Sequence, residues 1–257
     1  MLGFGLAIET QIWALLFVMV RVGAAFIAAP VFGNMSVPLP VRITLSGAVG
    51  VLVLGSTTIQ TPPTIFALAT FVAVAAEALV GLAIGFVIQI AFAAPLVAGE
   101  IIGGSMGIGF ANMIDPNSGR SSPAVGQFLS ILLTLLFLSL DGHLVLVDMV
   151  VKSYTALPPG AAWLATGQLR DIALFGGYAF LAGLLLALPV GFLLLCLNLV
   201  MGMLSRSAPA LNLFSIGLPA SLAVGVISLA IALPAMGDYM QVIVREGLAA
   251  AQSLVLG

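Results

Sequence analysis

The sequence predicts an all-α integral membrane protein, and three observations carry that expectation. Hydrophobic residues make up 62% of the 257 and charged residues only 6%, against roughly 25% charged in an ordinary soluble domain. Uncharged apolar runs longer than about 18 residues recur from end to end, the length a helix needs to cross a bilayer. The short alternating segments of an outer-membrane barrel are absent from the pattern. The net charge of −2 offers no basic surface for nucleic acid. The single cysteine, Cys196, sits in an apolar run and argues against redox chemistry. Glu9 and the lack of Lys or Arg before Arg21 do not resemble a signal peptide, so the first apolar segment is expected in the mature protein.

Taken in order, residues 12–32 read as a first span interrupted by Arg21. An arginine near a helix centre costs about 3 kcal/mol on insertion scales, so it should face protein or water, or else snorkel to a membrane edge. Residues 30–42, with three prolines, Gly33 and Asn34, read as a loop ending at Arg42. The next charge-free stretch is divided at Pro62-Pro63 into a second span near 43–60 and a third near 65–94. In the third, Glu77, Gly81, Gly85 and Gln89 recur every four residues and form one stripe on a helix. Glycines there allow a second helix to come close, which favours a face toward another subunit over a transport pathway.

Pro95 is read as the end of that helix. Residues 99–127 then form the most polar and glycine-dense stretch of the chain, holding Glu100, Asp115 and Arg120. Ser122-Pro123 resembles a cap and first helical position for a helix running to about 139. Asp141-Gly142-His143 breaks the apolar run, and residues 152–171, with Pro158-Pro159-Gly160 and Trp163, suit an interfacial connection. Between Asp171 and Arg206 the pattern allows one long helix kinked at Pro189 or a hairpin. After a loop at 205–212, an apolar run reaches Gly237, and residues 238–257 read as a short surface helix. Six spans put both termini on one side. Excluding Arg21, three Lys or Arg then fall on each side, so the positive-inside rule sets no orientation.

Enzymatic motifs are weak. Gly103-Gly-Ser105-Met-Gly107 matches G-x-S-x-G and His143 is the sole histidine, but no strand pattern precedes the serine as a hydrolase elbow requires. An intramembrane serine protease needs only a serine and a histidine, yet such a match arises easily among 29 glycines. No metal-ligand spacing is present, and with Lys152 the only lysine there is no P-loop, so neither metal nor nucleotide cofactor is expected. Gly99, Gly103 and Gly107 repeat at four, a small-residue ridge for close helix packing.

Several pieces together resemble the FliR family, components of the flagellar type III export gate related to an injectisome component. They are Arg21-Val-Gly-Ala with Pro30-Val-Phe-Gly33 and Pro40-Val-Arg42; Glu77, Gly81, Gly85 and Gln89; and Gly99-Glu-Ile-Ile-Gly103 followed by Met106-Gly-Ile-Gly-Phe110 and Asp115-Pro116. Further on stand Asp141-Gly-His143, Ser153-Tyr154, Arg206-Ser-Ala-Pro209, Asn212-Leu-Phe214 and Gly217-Leu-Pro219. Ala210 departs from a usual glutamine and Leu144 from a frequent second histidine. The resemblance implies one membrane domain over 1–257, a FliP-like part followed by a FliQ-like part, built of helical hairpins. It implies assembly with FliP-like and FliQ-like subunits, beside FlhB-like and FlhA-like proteins, in the inner membrane at the flagellar basal body. Unfolded export substrates would pass, no enzyme activity is involved, and the assembly protrudes above the bilayer plane.

The resemblance also implies that the central segment enters the pore as a plug, with Met106, Gly107, Phe110, Met113, Asp115 and Pro116 as gate residues. Physical reasons agree: methionine adapts its shape and glycines lower the cost of bending. Arg21, Arg42, Glu77, Gly81, Gly85, Gln89, Glu100, Arg206 and Asn212 are the expected polar and packing positions. A small-solute transporter is the alternative, and it should expose Glu77 and Glu100 to substrate.

Overall fold

The computed structural model describes residues 2–57, 59, 67–108, 124–160, 164–207 and 213–256, with backbone alone at 2–9, 213–215 and 256. Every regular element among them is a helix: α1 Leu2–Ala28, α2 Leu39–Ser56, α3 Leu68–Phe92, α4 Ala94–Ser105, α5 Ala124–Ser139, α6 Gly142–Ala156, α7 Thr166–Ser207 and α8 Leu213–Leu256. Among the described residues, five stretches are long and apolar enough to cross a membrane: Thr10–Ala28, Leu39–Ser56, Leu68–Ser105, Thr166–Ser207 and Ile216–Val255. The α5–α6 pair qualifies as a sixth, broken at Asp141. The protein is an all-α integral membrane protein.

Proline and glycine placement explains most boundaries. Pro40 lies in the first turn of α2, where its missing N–H leaves no hydrogen bond unmade. Pro95 acts in the same way: it stands in the first turn of α4 and does not end the preceding helix, which stops at Phe92. The first residues of the 99–127 stretch are therefore helical. Asp141 takes a left-handed φ of 55° between α5 and α6, a conformation aspartate tolerates better than most residues.

Two further expectations are corrected or decided. Residues 166–207 form one helix through Pro189, not a hairpin. Residues 238–256 continue α8 through Pro219 and Pro234 rather than forming a separate surface helix. Lipid and neighbouring helices leave an isolated backbone no alternative partner, so a long apolar run stays helical across a proline. The expected break at Pro62-Pro63, the Ser122-Pro123 cap and Trp163 lie outside the described residues.

The chain packs as two compact units, each discontinuous in sequence. The first comprises 1–90, 138–176 and 245–257; the second comprises 91–137 and 177–244. In the first, α1, α2 and α6 pack on one another around Phe17, Val18, Val22, Val53, Leu146 and Val150, all buried. In the second, Ile102 of α4, Leu129 and Leu133 of α5, and Leu186, Val190 and Leu194 of α7 are buried. There Phe92 meets Phe137 edge to face at 5.3 Å between centroids.

Candidate functional site

The first unit contains a buried ion pair built from charges that stand out in the sequence. Arg21 of α1 and Glu77 of α3 are both 0% exposed. The guanidinium grips the carboxylate with two bonds, Nε to Oε2 at 2.8 Å and Nη2 to Oε1 at 2.9 Å. Its Nη1 donates to the Ser153 carbonyl at 2.9 Å and to Ser153 Oγ at 3.1 Å, and Nη2 donates to the Leu157 carbonyl at 3.0 Å. All five guanidinium donors are thus engaged. The two carbonyls belong to the C-terminal end of α6, where the helix dipole favours a cation. Glu77 Oε1 also accepts the Gly160 N–H at 3.3 Å. Tyr154 lies beneath the guanidinium, 4.3 Å from carbon to ring centroid, and its hydroxyl donates to the Val18 carbonyl at 2.7 Å.

Small residues make that grip reachable. A Cβ at Gly81 would fall 2.9 Å from Ala24 Cβ, and one at Gly85 would fall 2.7 Å from the Ala29 nitrogen. The close-approaching helix is α1 of this same chain, which corrects the expectation of a neighbouring subunit at Glu77, Gly81 and Gly85. Arg21 snorkels nowhere, and a buried, fully bonded Glu77 does not suit substrate capture. Gln89 and Glu100 are exposed. Arg42 bonds the Asn34 carbonyl in the loop after α1, and Arg206 is exposed in the last turn of α7.

The second unit holds the entry to the glycine-rich segment. α4 closes with paired bonds from Gly107 N–H to the Gly104 carbonyl and from Ile108 N–H to the Gly103 carbonyl, each 3.0 Å. With Gly107 at φ 81°, this is a Schellman ending, which favours glycine at that position. Ser105 Oγ donates to the Ile101 carbonyl within its own helix at 2.8 Å, and α4 is no strand-to-helix elbow. The G-x-S-x-G hydrolase reading fails on that geometry. Among the described residues, no group of three or more His, Cys, Asp or Glu could hold a metal.

Met106, one of the expected gate residues, is only 2% exposed and packs on α8. The reason is a notch at Gly225, where a Cβ would fall 2.6 Å from Met106 Cγ and 3.1 Å from its sulfur. Beside it, Asn198 of α7 donates from Nδ2 to the Ser105 carbonyl at 3.3 Å, and Ser221 of α8 donates to Asn198 Oδ1 at 3.2 Å. Sequence reasoning passed over Asn198, Ser221 and Gly225. The available signal was Asn198 itself, an amide within the uncharged run from Asp171 to Arg206. Phe110, Met113, Asp115, Pro116 and Asn212 lie outside the described residues.

Residues 12–247 match the family described as bacterial export proteins, family 1. The chain is a FliR-family export protein. It is 38% identical over 227 residues to the flagellar biosynthetic protein FliR of Pectobacterium carotovorum subsp. carotovorum, covering 88% of this chain and 87% of the relative. The Escherichia coli (strain K12) FliR is 37% identical over 234 residues, covering 91% and 88%. The Bacillus subtilis (strain 168) FliR is 34% identical over 221 residues, covering 84% of each. Family membership agrees with the apolar helices and places the chain in flagellar biosynthesis and protein export.

Proposed function

We propose that this protein is a non-enzymatic subunit of the flagellar export gate in the bacterial inner membrane at the basal body. There it joins FliP-like and FliQ-like subunits, beside FlhB-like and FlhA-like proteins, to form the channel for unfolded substrates. The observation that carries this reading is the length of exposed apolar surface on α7. Leu169, Leu174, Phe180, Leu188, Phe192, Leu199 and Met203 are all exposed. At about 1.5 Å per helical residue they extend over about 50 Å, against a hydrocarbon core of about 30 Å. Lipid alone leaves part of that surface in water, so protein neighbours are needed. An autonomous carrier has no use for such a surface, and Glu77 is sealed from any solute.

Within that gate, the segment beginning at Met106 acts as the plug. Met106 and Gly107 form its root; Phe110, Met113, Asp115 and Pro116 belong to its body. An apolar, glycine-rich closure blocks small ions yet yields to varied side chains. Co-expression with FliP-like and FliQ-like proteins, followed by native mass spectrometry, should find one copy of this chain in a large mixed complex. A monomer or homodimer that ignores both partners would overturn the assignment. Deleting residues 106–119 in the assembled complex should raise ion leakage through the membrane, and unchanged leakage would dismiss the plug.

A further inference from the structure

We propose that Asn198, Ser221 and Gly225 are positioning residues that latch the resting gate by holding Met106 and the end of α4. The proposal rests on the plug reading above and adds the means by which its root is held. Ser105 is the last residue of α4, and its carbonyl is one of the four that an α-helix leaves without an intrahelical partner. The Schellman bonds engage the carbonyls of Gly103 and Gly104. Asn198 supplies a donor to the carbonyl of Ser105, at 3.3 Å.

Asn198 is itself oriented. An amide can rotate to present oxygen or nitrogen, and the Ser105 carbonyl, which can only accept, takes the nitrogen, leaving Oδ1 to accept the Ser221 hydroxyl at 3.2 Å. The hydroxyl steadies the amide in the orientation that the α4 carbonyl selects. Ser221 and Gly225 are four residues apart on α8, hence on one face. That face presents both the hydroxyl that steadies Asn198 and the notch that receives Met106. Two neutral hydrogen bonds at 3.2–3.3 Å and one thioether in a notch make a releasable hold. A buried ion pair such as Arg21–Glu77 would not let go as readily. Interhelical hydrogen bonds of this kind in membranes are individually weak, which suits a contact that must break each time cargo passes.

The test uses the complete export complex in energised cells, with ion leakage measured in the absence of cargo. Asn198→Ala and Ser221→Ala should each raise leakage severalfold while the complex keeps its mass. Ser221→Thr retains the hydroxyl and should restore the resting leak. Gly225→Val should also leak, because its side chain occupies the place of Met106. The Asn198→Ala/Ser221→Ala double variant should leak no more than Asn198→Ala alone, since the serine acts through the amide. Additive leakage would overturn that relay. If Asn198→Ala lowers the amount of assembled complex, Ser221→Ala, which removes one oxygen, decides the matter. Wild-type leakage from Ser221→Ala and Gly225→Val, alongside a leaking 106–119 deletion, would overturn the latch and leave the plug intact. A deletion that does not leak would remove the plug and the latch together.

Discussion

At the scale of single residues, the first unit depends on how one arginine is housed. Breaking a buried pair by removing one partner costs about 3–5 kcal/mol, because the survivor stays charged and unpaired. Glu77→Gln should therefore melt far below the wild type in detergent, read by a thermal unfolding assay on the purified assembly. The Arg21→Met/Glu77→Met double variant should recover part of that loss, since no lone charge remains. Recovery should be incomplete, because the Leu157 carbonyl and the Ser153 hydroxyl and carbonyl lose the bonds from Arg21, although the Ser153 carbonyl keeps the Leu157 N–H. Tyr154→Phe removes only the bond to the Val18 carbonyl and should cost about 1 kcal/mol by the same assay. Arg21 and Glu77 were legible as important because charges inside apolar runs stand out. Their pairing was not legible, since 56 residues separate them and no spacing rule links them. The carbonyl partners were hidden for a simpler reason: every residue has a carbonyl, so sequence cannot mark the ones that matter.

At the scale of helices, glycine spacing was informative, but only about closeness. The four-residue repeat in α3 correctly announced a tight crossing, and the same repeat cannot say whose helix arrives. Gly81→Ala should destabilise the chain by about 1–3 kcal/mol, because the added carbon meets the backbone and Ala24 of α1. Gly177→Ala makes a control on α7, where a Cβ meets nothing within 4 Å. Its stability should be unchanged or raised by up to about 1 kcal/mol. Gly107→Val should disfavour the left-handed ending of α4 by about 1–2 kcal/mol and show earlier proteolytic cleavage near that helix end. Prolines were the harder signal. Pro95, Pro189, Pro219 and Pro234 have the same chemistry; the first stands in a helix's opening turn and the others inside helices. The distinction depends on flanking length and packing, which local pattern does not contain.

At the scale of the molecule, class and family were readable from composition and motif order, whereas the division into two discontinuous units was not. Such a division is a matter of long-range contact, and α7 and α8 each contribute to both units. The tied count of basic residues also has a physical setting, since a helix of 42 residues is about 63 Å along its axis by the standard rise. Loops at the ends of such helices need not lie at the surface of the bilayer, where the positive-inside rule operates. The exposed faces of α7 and α8 have a consequence for the life of the chain in the cell. In the proposed gate, a newly made copy not yet joined to partner subunits carries the kind of surface that quality-control proteases and chaperones recognise. Its abundance should therefore follow the supply of its companions. In pulse-chase labelling, a copy made alone should decay quickly, and one made with FliP-like and FliQ-like subunits should persist. Overproducing this chain would then yield more turnover rather than more gates.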